Sequence, residues 1–126
     1  MEKILVIDDD EMDLQMLSVL CTSVGYEVIK TADGPQGLDL YKQHMPALVF
    51  LDLGLPSQNG MDVLRDIKRL DANSKVVLIT GYGSEKVAKD AFDLGALDFI
   101  EKTWDVGMMM ERVRMVLNAY GSESVS

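Results

Sequence analysis

Five short apolar segments alternate along the chain with five longer segments in which apolar residues recur at helical spacing. The short segments predict strands at about residues 3–7, 26–30, 47–51, 75–79 and 97–101. The longer segments predict helices at about residues 11–24, 35–44, 61–71, 84–94 and 105–120. Gly25, Pro46 and Gly95 stand at helix ends, where these residue types commonly occur. This alternation predicts parallel strands joined by right-handed crossovers.

The distribution of charge among the predicted strands indicates their order in the sheet. The first, third and fourth segments are almost entirely apolar, as expected for strands that are covered on both faces. The second and fifth segments carry charged residues, so we place them at the two edges. The predicted fold class is α/β: a flavodoxin-like three-layer sandwich with five helices and a five-stranded parallel sheet of order 2-1-3-4-5. Ligands bind such sheets at the switch point, here between strands one and three.

Residues suited to binding phosphate or a metal follow four of the predicted strands. Asp8 and Asp9 follow the first strand, and Asp52 follows the third. Thr80 follows the fourth strand and Lys102 the fifth. Any one of these residues alone is more simply explained as a loop residue or a helix cap. Because the carboxyl ends of parallel strands meet at one edge of a sheet, all of them together favour a functional site.

The residue types at this edge suit phosphoryl transfer. Carboxylates from neighbouring strands repel each other unless they share a cation, and Mg²⁺ (or Mn²⁺) binds a few carboxylates together with phosphate oxygens. Lys102 can neutralise a phosphoryl oxygen, and Thr80 can donate a hydrogen bond to another. Asp52 stands alone after the central strand, so it is the candidate nucleophile, which would form an aspartyl phosphate.

Composition narrows the possible functions. The chain has 126 residues, enough for one domain with a hydrophobic core. Its formal net charge of -9 argues against direct binding of nucleic acid. No apolar run reaches the roughly 18 residues of a membrane span, so we expect no membrane insertion. The single cysteine, Cys21, excludes an internal disulfide, which fits the reducing cytoplasm. Cys21 is expected to be buried in the first helix.

These residues resemble the receiver domain of two-component response regulators, the CheY-like fold. The resemblance covers about residues 3–120, and its most specific stretches are 7–10, 51–56 with Gly60, 80–82 and 95–102. The intervals from Asp52 to Thr80 and from Asp52 to Lys102 also match the family. The resemblance implies that residues 1–121 form a receiver domain. Residues 122–126 are then expected to be a disordered tail or the stub of a removed domain.

The resemblance also implies a role for each residue of the site. Asp52 would be the phosphoacceptor, and Thr80 and Lys102 would contact the phosphoryl oxygens. The implied metal ligands are Asp8, Asp9, Asp52 and the backbone carbonyl of Gly54. Thr80 and Phe99 resemble the switch residues that respond to phosphorylation. Their movement would change the surface formed by the fourth helix, the fifth strand and the fifth helix.

The function implied is that of a signalling phosphoacceptor. Its partners would be a histidine kinase or a phosphotransfer protein, which supplies the phosphoryl group, and a downstream output domain or protein. The domain would catalyse its own phosphorylation and dephosphorylation without a separate turnover substrate. It would be a monomer, or a dimer that forms on phosphorylation.

Three alternative functions compete with that of a signalling phosphoacceptor. A phosphohydrolase of the haloacid-dehalogenase type needs a second acid two residues after the nucleophile, where this chain has Gly54. A flavodoxin would need a phosphate-binding loop after the first strand, where the acidic residues 8–10 would repel phosphate. A receiver-like interaction module without phosphorylation is the third alternative, because Thr103 replaces the proline that usually follows the family's lysine. That replacement leaves both a cis and a trans Lys102–Thr103 peptide open.

Two further aromatic residues are expected near the site. Tyr82, two residues after Thr80, is expected to cover part of the path of an attacking water. Trp104 is expected where the fifth helix begins, as a fluorescent reporter of the site.

Overall fold

The computed structural model describes residues 2–55, 59–81, 85–103 and 105–120. The strands are β1 Lys3–Ile7, β2 Glu27–Thr31, β3 Leu48–Leu51, β4 Val76–Thr80 and β5 Asp98–Glu101. The helices are α1 Glu11–Ser23, α2 Gly34–His44, α3 Gly60–Leu70, α4 Glu85–Asp93 and α5 Val106–Tyr120. Within these described ranges, no helix combines the length and the apolar character that crossing a bilayer requires. The predicted alternation of strands and helices is confirmed.

The five strands form one parallel sheet in the order β2-β1-β3-β4-β5, as predicted. Ile7 at the end of β1 pairs with Leu51 at the end of β3, so Asp8 and Asp52 follow the sheet side by side. Thr80 pairs with Glu101 in the β4–β5 ladder, which brings Lys102 to the same edge. The register therefore places the polar residues that follow these strands at one edge of the sheet.

Helices cover both faces of the sheet, and alternate residues of each central strand contribute to two separate core clusters. Ile4 and Val6 of β1 pack with buried residues of α1 and α5. Leu5 and Ile7 point to the opposite face, where they pack with α2, α3 and α4. The three-layer arrangement is thus confirmed. Cys21 lies in the first cluster, completely buried as predicted, and burial raises the pKa of its thiol to about 12.

The ends of the elements differ from the predicted bounds by no more than one residue, and one such difference concerns the site. Thr80 is the last residue of β4, because its carbonyl oxygen accepts a hydrogen bond from the backbone N–H of Lys102 at 2.8 Å. No peptide bond among the described residues is cis, so the Lys102–Thr103 bond is trans. The predictions for Tyr82, Trp104 and residues 122–126 lie outside the described residues.

Candidate functional site

The backbone of the sheet fixes two carboxylates at the ends of its central strands. The N–H of Asp8 donates to the carbonyl oxygen of Thr31 at 3.0 Å, and the N–H of Asp52 donates to that of Ile7 at 2.9 Å. These two hydrogen bonds extend the β1–β2 and β1–β3 ladders by one residue beyond the strand ends. Both side chains therefore start from rigid positions, as a site that positions a metal or a reacting group requires.

Three carboxylates come together at this edge, as predicted. Asp8, Asp9 and Asp52 can each offer an oxygen such that the three oxygens lie within 4.8 Å of one another. We call these residues the acidic triad. Asp8 is completely buried, Asp52 is 5% exposed, and Asp9 is exposed to solvent. Such a group has the oxygen ligands and the negative charge that a hard divalent cation prefers.

The ammonium group of Lys102 lies against the triad. Its Nζ is 2.9 Å from Asp52 Oδ2 and 3.0 Å from Asp8 Oδ2. A third carboxylate, from Asp13 on α1, approaches the same nitrogen at 2.7 Å. Burial alone would lower the pKa of the Lys102 ammonium, but the hydrogen bonds to these carboxylates outweigh it and raise that pKa above its usual value. Lys102 is therefore charged at neutral pH.

The carboxyl group of Asp52 is held in its ionised form. Burial by itself raises the pKa of Asp52. Hydrogen bonds from the Gly54 amide, the Lys102 ammonium and the Thr80 hydroxyl outweigh burial and hold this pKa below its usual value. Asp52 is consequently a carboxylate at neutral pH, the form that can act as a nucleophile.

The pKa of the Asp8 carboxyl group shifts in the opposite direction. Burial raises its pKa to about 7, although the hydrogen bond from the Asp10 amide and the nearby Lys102 ammonium act to lower it. Among the described residues, no group donates a well-oriented hydrogen bond to Asp8 Oδ2, even though Lys102 Nζ is close to it. A buried carboxylate oxygen without such a donor is a suitable ligand for a cation.

An open cleft of about 640 Å³ gives access to these groups. Its lining residues are Asp9, Asp10, Glu11, Asp52, Gly54, Gly81 and Lys102. Thr80 is completely buried beside the cleft. Phe99, the predicted switch aromatic, lies in β5 and is partly buried against the core cluster of α2, α3 and α4. The cleft can admit a small phosphorylated molecule or a phosphorylated side chain to Asp52.

Comparison with known proteins decides the family. The sequence profile of the response regulator receiver domain matches residues 4–114. The chain belongs to this family. It is therefore a phosphoacceptor receiver domain of the two-component type.

Three proteins similar to this receiver domain match it over most of their own length. The chemotaxis protein CheY of Bacillus subtilis is 32% identical, and the match covers 92% of this chain and 98% of that protein. Sporulation initiation phosphotransferase F of the same organism is also 32% identical, with 92% and 94% covered. The CheX–CheY–BeF3–Mg²⁺ complex of Borrelia burgdorferi contains a chain that is 33% identical, with a TM-score of 0.82 and 92% and 89% covered.

Most of the predicted site residues meet around the cleft of this receiver domain, but one neighbour was not foreseen. Asp8, Asp9, Asp52, Thr80 and Lys102 lie together at the sheet edge, with Gly54 on the rim. Asp13, which contacts Lys102, stands in the first turn of α1, where an acidic residue has an ordinary explanation as a partner of the helix dipole. Nothing in the sequence pattern indicates that its side chain turns toward β5.

Gly60, at the start of α3, packs directly behind the loop that carries Asp52. A Cβ atom at this position would meet the Cα of Leu53 and would lie 2.6 Å from the carbonyl oxygen of Asp52. Because backbone atoms cannot move aside as a side chain can, we expect Gly60→Ala to lower the free energy of unfolding by about 2–3 kcal/mol. Urea denaturation measures this loss.

Gly81→Ala is the matched control for this prediction, because an added Cβ there meets no atom of the described residues within 4 Å apart from those of its chain neighbours. We expect its free energy of unfolding to stay within about 0.5 kcal/mol of the parent chain. Equal stability of the two variants would show that the loop behind Asp52 can shift to accommodate a methyl group.

Proposed function

We propose that this receiver domain accepts a phosphoryl group on Asp52 in a reaction that depends on Mg²⁺ or Mn²⁺. The observation that carries the proposal is the pairing of an ionised Asp52 carboxylate with Lys102 Nζ at 2.9 Å, at the floor of an open cleft. The Asp52 carboxylate can attack a phosphorus atom while the adjacent Lys102 ammonium neutralises the charge that develops on the phosphoryl oxygens.

The acidic triad supplies the metal site in this proposal. Asp8, Asp9 and Asp52 would hold the cation, together with the backbone carbonyl of Gly54. Two observations support the fit: the three oxygens converge within 4.8 Å, and Asp8 Oδ2 is buried without a well-oriented donor from the described residues. When bound, the cation would supply positive charge that offsets both the carboxylates and the incoming phosphate. The Borrelia burgdorferi relative, described with Mg²⁺ and BeF3, is consistent with this assignment.

Each remaining group has one task in the transfer. A carboxylate oxygen of Asp52 forms a bond to phosphorus while the bond from phosphorus to the donor's leaving group breaks, and the leaving group takes the bonding electrons. Lys102 would contact one phosphoryl oxygen through its ammonium group, and the Thr80 hydroxyl would donate a hydrogen bond to another. In dephosphorylation a water oxygen would bond to phosphorus while the bond between phosphorus and the Asp52 oxygen breaks, which releases inorganic phosphate and the Asp52 carboxylate. The same groups would assist this step, so the domain would catalyse its own dephosphorylation.

The phosphorylated domain would act as a switch between two proteins. The phosphoryl group adds nearly two negative charges, which would draw Thr80 toward Asp52 and let Phe99 change its packing. The surface of α4, β5 and α5 would respond, and a downstream output domain or protein would read it. The phosphoryl donor would be a histidine kinase or a phosphotransfer protein of the cytoplasm, and the domain would be a monomer or would dimerise on phosphorylation.

The proposal is tested by incubating the full chain with acetyl phosphate, with and without Mg²⁺. We expect intact-mass spectrometry to show a gain of one phosphoryl group with Mg²⁺ present. Excess EDTA should abolish the gain, because the carboxylates around Asp52 then repel the dianionic donor. No adduct in the presence of Mg²⁺, together with no change in the amide NMR spectrum on addition of beryllofluoride, would contradict the proposal.

A further inference from the structure

Asp13 makes the shortest of the three contacts between Lys102 and a carboxylate. Asp13 Oδ2 is 2.7 Å from Lys102 Nζ, against 2.9 Å for Asp52 and 3.0 Å for Asp8. An ammonium group has three N–H donors, and three carboxylates surround this one. Asp13 differs from the other two carboxylates because it belongs to a helix and is not one of the three acids that can share a cation.

The inward orientation of the Asp13 side chain is not explained by the needs of its helix. The cap of α1 is Asp10, whose side chain already accepts hydrogen bonds from the backbone N–H groups of Met12 and Asp13. Glu11 and Met12, its neighbours in the first turn, are exposed, whereas the side chain of Asp13 is only 16% exposed. Asp13 is therefore turned inward, against Lys102.

We infer that Asp13 is a positioning residue, which shares the Lys102 ammonium and so leaves Asp8 and Asp52 available to a divalent cation. The inference rests on the metal site of the proposed function. A cation that binds the triad must compete with Lys102 for the oxygens of Asp8 and Asp52. Asp13 lessens this competition because it stays paired with Lys102 when the other two carboxylates turn to the metal.

Removal of the Asp13 charge should therefore weaken cation binding in two ways that act in the same direction. The ammonium would pair more strongly with Asp8 and Asp52, and the site would lose one negative charge. We expect Asp13→Asn, which keeps the size of the side chain, to raise the Kd for Mg²⁺ by about threefold to tenfold. Isothermal titration calorimetry with Mg²⁺ alone measures this change without any phosphoryl donor.

Glu11→Gln provides the matched control for charge alone. Glu11 lines the same cleft and is exposed, so its replacement removes a negative charge near the site while Lys102 keeps all three carboxylate contacts. We expect its Kd for Mg²⁺ to rise by less than about twofold, because exposed charges are screened by solvent and salt. An equal effect of the two variants would overturn the inference in favour of a general field effect.

A double-mutant cycle through Lys102 separates a shared ammonium from a direct effect of Asp13. Lys102→Gln should bind Mg²⁺ more tightly than the parent chain, because the competing charge is gone. In that background, Asp13→Asn should have no larger effect than Glu11→Gln. If Asp13→Asn weakens binding equally in both backgrounds, Asp13 does not act through Lys102. Far-ultraviolet circular dichroism at the titration temperature confirms that every variant compared is folded.

The parent chain distinguishes failure of this inference from failure of the proposed function. A parent chain that binds Mg²⁺ and is phosphorylated by acetyl phosphate, with an Asp13→Asn variant of unchanged affinity, overturns only the role of Asp13. A parent chain that binds no Mg²⁺ and gains no phosphoryl group overturns both.

Discussion

Asp52→Asn is expected to abolish the mass gain that acetyl phosphate and Mg²⁺ produce in the parent chain. The replacement is nearly equal in size and keeps an oxygen that can accept the hydrogen bond of the Gly54 amide, which is 2.9 Å long in the parent. It loses the negative charge that Lys102 contacts at 2.9 Å. A neutral amide is a poor nucleophile toward phosphorus, so the loss should be complete on the time scale on which the parent chain reacts fully.

Glu11→Gln serves as the control for this experiment as well, since it changes an acidic residue of the same cleft that is not assigned to the reaction. Its mass gain should match that of the parent chain. A phosphoryl group on Asp52→Asn at the parent's rate would place the acceptor on another side chain. Peptide mapping of the phosphorylated chain after borohydride reduction would then identify that residue.

The fold could be predicted because its causes are local and visible in the sequence. β1, β3 and β4 are almost entirely apolar since both faces of the sheet are covered, while charged residues mark β2 and β5 as edges. Parallel strands of this order bring their carboxyl ends to one edge, so the meeting of Asp8 and Asp52 followed from the topology.

The properties of the site residues depend on distances that the sequence does not contain. The repulsion expected between neighbouring carboxylates would act in the same direction on Asp8 and on Asp52. In the structure the two pKa values shift in opposite directions. Burial dominates at Asp8 and raises its pKa, whereas hydrogen bonds outweigh burial at Asp52 and lower its pKa. The contact between Asp13 and Lys102 joins α1 to the end of β5, and its formation depends on how the helix is rotated against the sheet. Periodicity predicts which face of a helix is apolar, but it does not assign a partner to one acidic residue at the helix start.

Asp8→Asn is expected to raise the free energy of unfolding of the metal-free domain at pH 7 by about 1–3 kcal/mol. This is the usual penalty for an unsatisfied buried polar group, which the replacement would remove. Asp8 is completely buried, and Asp9 and Asp52 stand beside it. An asparagine amide can donate toward these neighbours, whereas a carboxylate repels them. Lys102 is not left unpaired by the change, because it keeps Asp13 and Asp52 at 2.7 and 2.9 Å. Urea denaturation in EDTA measures the gain.

The stability that Asp8→Asn gains should depend on pH, and the direction of this dependence follows from the raised pKa of Asp8. This pKa is about 7 in the folded chain against an ordinary 3.8, so between these values the folded state holds a proton that the unfolded state has released. The stability of the parent chain should therefore fall as pH rises through this window, by at most about 1.4 kcal/mol per pH unit. The advantage of Asp8→Asn should be small near pH 4 and should reach its full size above pH 7.

Asp9→Asn separates the effect of burial from that of charge, because Asp9 belongs to the same triad but is exposed. It should gain less stability at pH 7 than Asp8→Asn. Added Mg²⁺ should raise the melting temperature of the parent chain and do so much less for Asp8→Asn, since the variant lacks the buried negative charge that the cation would compensate. An Asp8→Asn variant less stable than the parent chain at pH 7 in EDTA would mean that Lys102 already compensates the Asp8 charge. In the expected case, Asp8 lowers the stability of the metal-free fold and thereby favours the state in which a cation is bound.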